Sequence, residues 1–337
     1  MHVDRSTGRT AGRLGAAVTA TVALLSAAGC STDAGTGTRA AADAPDARTS
    51  AAAPAKDNGK TNDGTGRASA ARPAPSMPEP TVLAQARVNM TDGQTVGIGM
   101  PISVTFPRPV PAAERKAVES WLRVQTASGT TGAWSWVKDQ NRLDGERVDF
   151  RPRTTYWQPG TKITLRLGSH DVRHFTIGRS LIATVDARTH EMTVRTGGAT
   201  RRIPVTTGRP GLDTWKGTMV VMDKQPEVLM DSHTVGLGAE YRGTYFWAVH
   251  LTASGTYVHQ NPRADTEAGH RNVTHGCVGL ATDGTAERFY HQVRVGDVVT
   301  VTGTKKDTVD VGNGYGDWNL TWKQWLAHSA TGRTTTA

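Results

Sequence analysis

Cysteine is nearly absent from this chain, which contains only two, Cys30 and Cys277, among 337 residues. Neither belongs to a Cys-x-x-Cys pair. A structural zinc centre built on paired thiolates is therefore not expected. With two cysteines the chain can form one disulfide at most, so each thiol needs its own explanation.

The chain also lacks a hydrophobic run that would comfortably span a bilayer, which takes about 20 apolar residues. The apolar segment 14–28 is short and rich in small residues, and Arg5, Arg9 and Arg13 precede it. A charged start, a short apolar stretch and small residues at its end are typical of a secretory signal peptide. We expect residues 1–30 to direct export.

Cys30 follows Ala-Ala-Gly, which resembles the lipobox of bacterial lipoproteins, although Ala27 stands where a bulky Leu is usual. We predict lipidation of Cys30, which would hold the protein at the outer face of the cytoplasmic membrane and in the cell wall. Plain cleavage nearby or a retained anchor are the alternatives. Lipidation would leave Cys277 without a partner in a compartment where thiols tend to pair, which suggests that Cys277 is kept for chemistry.

Acidic residues are outnumbered, with 30 Asp and Glu against 39 Lys and Arg and a pI near 9.8. A basic chain suits nucleic acid, an anionic membrane surface or an acidic polymer. Export removes nucleic acid from these partners.

Large apolar side chains are almost missing from residues 31–79, which are mostly Ala, Gly, Thr, Asp, Lys and Pro. Such a segment cannot bury enough apolar surface to offset the entropy lost on ordering. We predict a disordered tether here.

Long helical patterns are scarce in the rest of the chain, and the expected fold class is mainly β. Residues 80–178 contain short runs such as 161–167 that alternate with period two, and one helical candidate at 111–122. They predict a small β-sandwich. Residues 179–303 are again mostly strands with one short helix at 284–293, so a doubly wound sheet is not expected.

The C-terminal segment 304–337 is unusually rich in tryptophan. Trp318, Trp322 and Trp325 are spaced i, i+4 and i+7, as on one face of a helix. Stacking on carbohydrate is one interpretation. Packing of the indoles on the preceding domain, 179–303, is the interpretation we favour.

The segment Thr274-His275-Gly276-Cys277 places a histidine and a glycine directly before the thiol. A cysteine nucleophile needs a base, a group that orients the base, and donors for the oxyanion. His259 and His275 are candidate bases, and an imidazole near Cys277 would lower the thiol pKa. The spacing does not decide which histidine takes the proton.

Fourteen residues separate His259 from Thr274. This spacing resembles the signature H-x(14–17)-[ST]-H-G-C of the L,D-transpeptidases, enzymes with a YkuD-type catalytic domain that cross-link bacterial peptidoglycan. The resemblance covers nearly all of the chain after the tether. It implies an Ig-like β-sandwich at 80–178, a catalytic domain at 179–303 and a Trp-rich C-terminal subdomain at 304–337, as in actinobacterial lipoprotein-like members.

The resemblance implies a role for each residue of the motif. Cys277 matches the family nucleophile and His259 the general base, which the main-chain carbonyl of Gln260 would orient. His275 matches the motif histidine that shapes the substrate site. The backbone N–H groups of Gly276 and Cys277 would face the oxyanion.

Further expectations follow from the same resemblance. Tyr241 matches a tyrosine that lines the oxyanion hole, and Thr274, like Gln260, belongs to the substrate site. The family uses no metal or cofactor. Peptidoglycan stem peptides are the implied substrates, and carbapenems the implied inhibitors.

One position departs from the family pattern. The signature usually continues C-h-N, whereas this chain has Cys277-Val278-Gly279. The nucleophile assignment does not depend on this position, but the rate and the handling of the acceptor do.

Three functions remain open from the sequence. The favoured one is an L,D-transpeptidase that forms 3→3 cross-links with release of D-alanine. An L,D-carboxypeptidase would hydrolyse the same thioester, and a wall-binding lipoprotein would not use its cysteine at all.

A zinc site formed by two histidines and Cys277 is a less favoured interpretation of the motif. Segment 209–238, with Met222 and Met230, is a candidate lid over the cleft.

Overall fold

The computed structural model describes residues 76–140 and 145–336. The predicted signal peptide 1–30, Cys30 and all of the predicted tether up to residue 75 lie outside the described residues. No helix in the described part of the chain has the length and apolar character needed to span a membrane.

The first domain consists of two sheets that face each other. Its strands are β1 (Arg87–Val88), β2 (Gln94–Val96), β3 (Ile102–Thr105), β4 (Leu122–Thr126), β5 (Thr131–Lys138), β6 (Glu146–Pro152), β7 (Lys162–Leu167) and β8 (Asp171–Ile177). One sheet has the order β1-β3-β6-β5 and the other β2-β8-β7-β4. A 3₁₀ helix, Thr81–Gln85, precedes β1, and helix α1, Ala112–Trp121, connects β3 to β4.

The core of this first domain is formed by the inward residues of the alternating strands. In β7, Ile163, Leu165 and Leu167 are buried while Lys162 and Arg166 are exposed. This is the period-two pattern that the sequence showed. Aromatic rings of neighbouring strands complete the core, with Trp134 edge-on to Phe150 at 5.3 Å between centroids.

The second domain also has two sheets. Its strands are β9 (Leu181–Asp186), β10 (Glu191–Thr196), β11 (Ala199–Pro204), β12 (Gly217–Val220), β13 (Asp223–Asp231), β14 (Arg242–His250), β15 (Tyr257–Gln260), β16 (Val278–Leu280) and β17 (Val298–Thr302). The sheet orders are β11-β10-β9-β17-β12 and β13-β14-β15-β16. Helix α2 is Ala264–Glu267, helix α3 is Thr285–Gln292, and a 3₁₀ helix, Ser232–Val235, follows β13. The mainly β expectation is confirmed.

The pairing of β15 with β16 matters most for function. The two strands are parallel, with His259 opposite Gly279 and Gln260 opposite Leu280. This register brings the end of β15, with His259, beside the start of β16, which follows Cys277 directly. Residues 18 positions apart in the chain thereby become neighbours.

The two domains are joined by close backbone contact. Gly97 N–H donates to Val295 O at 2.8 Å, and Gly99 N–H donates to Gly296 O at 2.9 Å. A Cβ on Gly97 would lie 2.2 Å from Asp297 N. Glycine is required at this position because the backbones touch.

The C-terminal segment returns to the first domain. A 3₁₀ helix, Asp317–Asn319, is followed by helix α4, Trp322–Ala327, and the last strand, β18, Thr335–Thr336, pairs with β5. Thr321 begins α4 through a capping box with Gln324. Trp318 therefore does not share a helix with the other two tryptophans.

The expected packing of the indoles on the domain 179–303 is wrong. Trp325 is fully buried, and its Nε1–H donates to Ala133 O in β5 at 3.0 Å. Trp318 Nε1–H donates to Gly99 O at 2.8 Å. The sequence pattern wrongly placed Trp318 on the same helix as Trp322 and Trp325, and it could not identify the surface against which the indoles pack.

Candidate active site

A cleft on the second domain contains the residues of the signature. Its lining includes Tyr241, Tyr245, His259, Thr274, His275 and Cys277, and it encloses about 490 Å³ including its open mouth. The β13–β14 hairpin supplies the tyrosines, the end of β15 supplies His259, and the loop before β16 supplies the other three. The fold thus collects side chains that are widely separated in sequence.

Cys277 is a free, half-buried thiol that lines this cleft. Its Sγ lies 3.7 Å from Gly255 O, which can only accept, so the thiol donates a weak hydrogen bond. Burial raises the pKa of the Cys277 thiol to about 11, although a backbone hydrogen bond from Tyr257 opposes this shift. The resting thiol is therefore protonated at neutral pH.

His259 is 3% exposed at the end of β15. Its Nδ1 lies 2.6 Å from the main-chain oxygen of Gln260. Because a carbonyl oxygen only accepts, Nδ1 carries the proton, and Nε2 of the neutral ring is left as an acceptor. The edge of the Tyr245 ring meets the imidazole at 4.9 Å between centroids.

The expected lowering of the thiol pKa by an imidazole is wrong for this site. Burial lowers the pKa of His259 to about 4, although the hydrogen bond to Gln260 O partly opposes this. The charged forms of both His259 and Cys277 lose their hydration in the cleft, and this loss dominates. The resting pair is neutral imidazole and neutral thiol.

His275 is held on the other side of the loop by acidic and aromatic neighbours. Its Nε2 lies 3.3 Å from a carboxylate oxygen of Glu240, which also accepts from Arg209 Nη2 at 3.1 Å. The ring centroid of Tyr241 lies 5.1 Å from that of His275. Glu240 was not identified from the sequence, although it directly precedes Tyr241.

The loop before β16 is tied by Thr274. The Thr274 hydroxyl donates to Cys277 O at 2.6 Å. The same hydroxyl oxygen, Thr274 Oγ1, accepts from Gly276 N–H at 3.2 Å. Gly276 has φ of 119°, a backbone conformation that favours glycine. The Gly276 N–H, expected to face the oxyanion, is engaged by the threonine hydroxyl in this structure.

Tyr241 and Tyr245 add phenol groups to the wall of the cleft. Burial raises the pKa of Tyr241 to about 12, with a smaller contribution from the negative charge that Cys277 carries once it is ionised, and the same two causes raise the pKa of Tyr245. Both phenols thus remain protonated donors at neutral pH. Tyr245 escaped sequence reasoning because only its alternation with Gly243 in β14 placed it on the inner face of the hairpin.

A second cavity lies on the other side of the same hairpin wall. Tyr241 and Met230 line both cavities, and Gly255, whose carbonyl contacts Cys277 Sγ, lines the second, which encloses about 590 Å³ including its mouth. His250 stacks on Tyr257 in the wall of this second cavity, with 4.2 Å between the ring centroids. Its Nδ1 lies 2.8 Å from Asp223 Oδ2.

The two methionines of the candidate lid 209–238 lie in different places. Met230 lines the cleft, whereas Met222 contributes to a separate small cavity beside Tyr315. Among residues 76–140 and 145–336, no three His, Cys, Asp or Glu side chains converge in a way that could hold a metal ion.

Two family models match this chain. The family model of the bacterial Ig domain matches residues 45–173, and that of the L,D-transpeptidase catalytic domain matches residues 180–301. The first match begins within the segment predicted as a tether. The second contains the whole signature from His259 to Cys277.

Two curated relatives are similar over most of the described chain. L,D-transpeptidase 1 of Mycobacterium tuberculosis is 35% identical over 235 residues, which cover 68% of this chain and 88% of the relative. L,D-transpeptidase 2 of the same species is 32% identical over 269 residues, covering 74% of this chain and 64% of the relative. This chain thus spans slightly less than two thirds of the length of that second relative.

A solved structure shares the architecture. An LD transpeptidase, LdtMt1, in complex with imipenem superposes with a TM-score of 0.57 at 33% identity, over 64% of this chain and 97% of that one. The chain therefore belongs to the L,D-transpeptidase family, with a bacterial Ig domain preceding the catalytic domain.

Proposed function

We propose that this chain is a peptidoglycan L,D-transpeptidase that forms 3→3 cross-links through an acyl-enzyme on Cys277. The observation that carries the proposal is the pairing of β15 with β16, which puts His259 and Cys277 in one cleft. The hydrogen bond from His259 Nδ1 to Gln260 O leaves Nε2 as the proton acceptor.

In the first half-reaction, Cys277 attacks the carbonyl of the third residue of a tetrapeptide stem. His259 Nε2 takes the thiol proton as the S–C bond forms, because a neutral thiol and a neutral imidazole do not exchange the proton beforehand. The Tyr241 hydroxyl and the Cys277 N–H are the proposed oxyanion donors. The C–N bond then breaks, and His259 returns the proton to the amine of the departing D-alanine.

In the second half-reaction, an amine from a neighbouring stem attacks the thioester. Its proton passes to His259, the C–S bond breaks, and the thiolate recovers a proton as the amide forms. In this proposal the acceptor approaches from the second cavity, which is lined by Gly255, the residue whose carbonyl lies 3.7 Å from Cys277 Sγ. An acceptor held there would outcompete water.

The experiment is incubation of the protein with a disaccharide-tetrapeptide, followed by mass spectrometry of the products. We expect mostly cross-linked dimer with trimmed tripeptide as a minor product. Cys277→Ala should remove both, because both need the acyl-enzyme. Tripeptide alone, even with abundant acceptor amine, would instead establish the L,D-carboxypeptidase alternative.

We further propose that carbapenems acylate Cys277. A related LD transpeptidase has been solved in complex with imipenem, and the cleft that contains Cys277 is open to solvent at its mouth. Intact-mass measurement should show one imipenem adduct per chain, absent from Cys277→Ala. A parent protein that gains no adduct would contradict the assignment of the nucleophile.

The location is a separate proposal, supported by the sequence of residues 1–30 alone. Diacylglyceryl modification of Cys30 would anchor the protein at the outer face of the cytoplasmic membrane, because two acyl chains bind a membrane stably whereas a single chain binds reversibly. Cys30→Ala should leave the protein unprocessed or release it into the medium. Membrane retention of this variant, with normal cleavage and no lipid label on the parent, would refute the proposal.

A further inference from the structure

Gly279 departs from the family signature, and the structure shows what occupies the space of the missing side chain. Its φ lies outside the left-handed region, so its backbone conformation is open to any residue. A Cβ built on Gly279 would lie 3.0 Å from Asn261 Cβ, 3.3 Å from Asn261 Nδ2 and 2.9 Å from Thr206 Cγ2. Glycine is required here by space and not by conformation.

The backbone of Gly279 cannot move away to make room. Its N–H donates to Thr206 O at 2.8 Å, and its carbonyl accepts from Thr206 N–H at 3.2 Å. On its other side, Gly279 pairs with His259 in the parallel ladder. The space that a side chain at position 279 would need is therefore occupied by the side chain of Asn261.

The side chain of Asn261 lies on the same face of β15 and its extension as His259, two residues earlier, and it lines the cleft with Cys277. Its orientation is fixed by a turn, because Oδ1 accepts from Arg263 N–H at 3.0 Å. That hydrogen bond identifies the oxygen of the amide, so Nδ2 is the atom directed at Gly279. Within residues 76–140 and 145–336, Nδ2 has no hydrogen-bond acceptor.

We propose that Asn261 Nδ2 donates to an oxygen of the acyl donor bound beside Cys277, and so supplies, from the residue that follows β15, the amide that the family signature carries two residues after the nucleophile. This inference rests on the proposed function. Arg263 also lines this cleft. Asn261 Nδ2 is a donor, which suits a peptide carbonyl or carboxylate oxygen.

The test must distinguish loss of the Nδ2 donor from loss of the turn that Asn261 Oδ1 stabilises. Asn261→Ser keeps a side-chain oxygen for Arg263 N–H and removes the donor at Nδ2. We expect the rate constant for acylation of Cys277 by imipenem to fall roughly tenfold, as one lost hydrogen bond implies. Iodoacetamide does not use the hydrogen bond from Asn261 Nδ2, so the rate of alkylation should stay within about twofold of the parent.

A second set of variants tests whether an amide at position 279 restores the rate of acylation. Thr206→Ser removes only the obstructing methyl, because Thr206 Oγ1 donates to Arg271 O and accepts from Val273 N–H. The triple variant Thr206→Ser, Asn261→Ala, Gly279→Asn moves the amide to position 279. It should acylate within about threefold of the parent, whereas Gly279→Asn alone should lose thermal stability through overpacking. Thr206→Ser alone is the matched control and should behave as the parent.

Two results would overturn the inference: an Asn261→Ser variant that imipenem acylates at the parent rate, or a triple variant as slow as Asn261→Ser. In both, the parent itself is acylated, so the proposed function survives. A parent that imipenem does not acylate would contradict the proposed function and this inference together.

Discussion

His259 Nδ1 donates to the main-chain oxygen of Gln260 at 2.6 Å, and this one contact fixes the ring as an acceptor at Nε2. The partner is the carbonyl of the next residue in the same strand, so the base and its orienting group move as one unit. No carboxylate is needed to hold this imidazole. The ring can accept a proton without first forming an ion pair with Cys277.

The first prediction concerns the pH dependence of acylation. Neutral His259 is the active form, and its pKa is lowered to about 4 by burial. The rate constant for acylation by imipenem should therefore stay level from pH 7 down to about 5 and fall only as the pH approaches 4. Stopped-flow measurement across this range checks it. An acid limb centred near the ordinary histidine value, about 6.5, would contradict the assignment.

Alkylation of the free thiol should follow a different profile. Because burial raises the pKa of Cys277 to about 11, iodoacetamide should react slowly at pH 7 and faster up to that value. His259→Ala should change this alkylation little while it lowers acylation by imipenem at least 100-fold, the usual loss of a general base being about 10²–10⁴. Fast alkylation of the parent at neutral pH would show a preformed thiolate.

The buried imidazole should also make stability depend on pH. The pKa of His259 is about 6.5 in an unfolded chain and about 4 in the fold, so the unfolded state binds a proton first as the pH falls. The contribution is complete above pH 6.5 and declines toward pH 4, by about 3 kcal/mol in total. Urea unfolding of the parent and of His259→Gln at pH 7 and 4.5 measures it. Equal losses in the two proteins would exclude His259 as the cause.

Glu240 is expected to matter through His275. It lies 3.3 Å from His275 Nε2 and is itself about half exposed, so its loss should cost little stability. Glu240→Gln should raise the KM for tetrapeptide by a few-fold, because an exposed contact of this kind contributes less than about 1 kcal/mol, and leave kcat nearly unchanged. Glu227→Gln, on the outer face of the same hairpin, is the control. A large fall in kcat would mean that Glu240 takes part in proton transfer.

The C-terminal tryptophans should act on stability and not on chemistry. Trp325 is fully buried against β5, so Trp325→Ala should destabilise the protein by about 3–5 kcal/mol. Trp322 is only partly buried, and Trp322→Ala should cost clearly less. Thermal unfolding gives both values, and acylation by imipenem below the unfolding transition should be unchanged. Loss of acylation in folded Trp325→Ala would place the tail in the site.

Local patterns in the sequence were enough for much of the fold. Residues 180–194 contain two alternating runs around a polar turn, a pattern typical of a hairpin, and β9 and β10 pair there. The signature likewise identifies His259 and Cys277 as members of one site, because the family resemblance encodes a pairing that the spacing alone does not.

Contacts between distant segments could not be read in the same way. Asn261 lies beside Gly279 only because β15 and β16 are parallel, and no local pattern in either segment specifies that register. The thiol pKa was misjudged for a related reason. A neighbouring imidazole is visible in the sequence, whereas the burial that outweighs it is not.

The most direct test of the central claim is intact-protein mass spectrometry after brief incubation with a tetrapeptide donor and no acceptor amine. We expect the mass of one acyl group, which is the donor without its terminal D-alanine, located on the peptide that contains Cys277. It should be absent from Cys277→Ala and strongly reduced in His259→Ala. Release of D-alanine by the parent without this adduct, or an unchanged adduct in His259→Ala, would contradict the account.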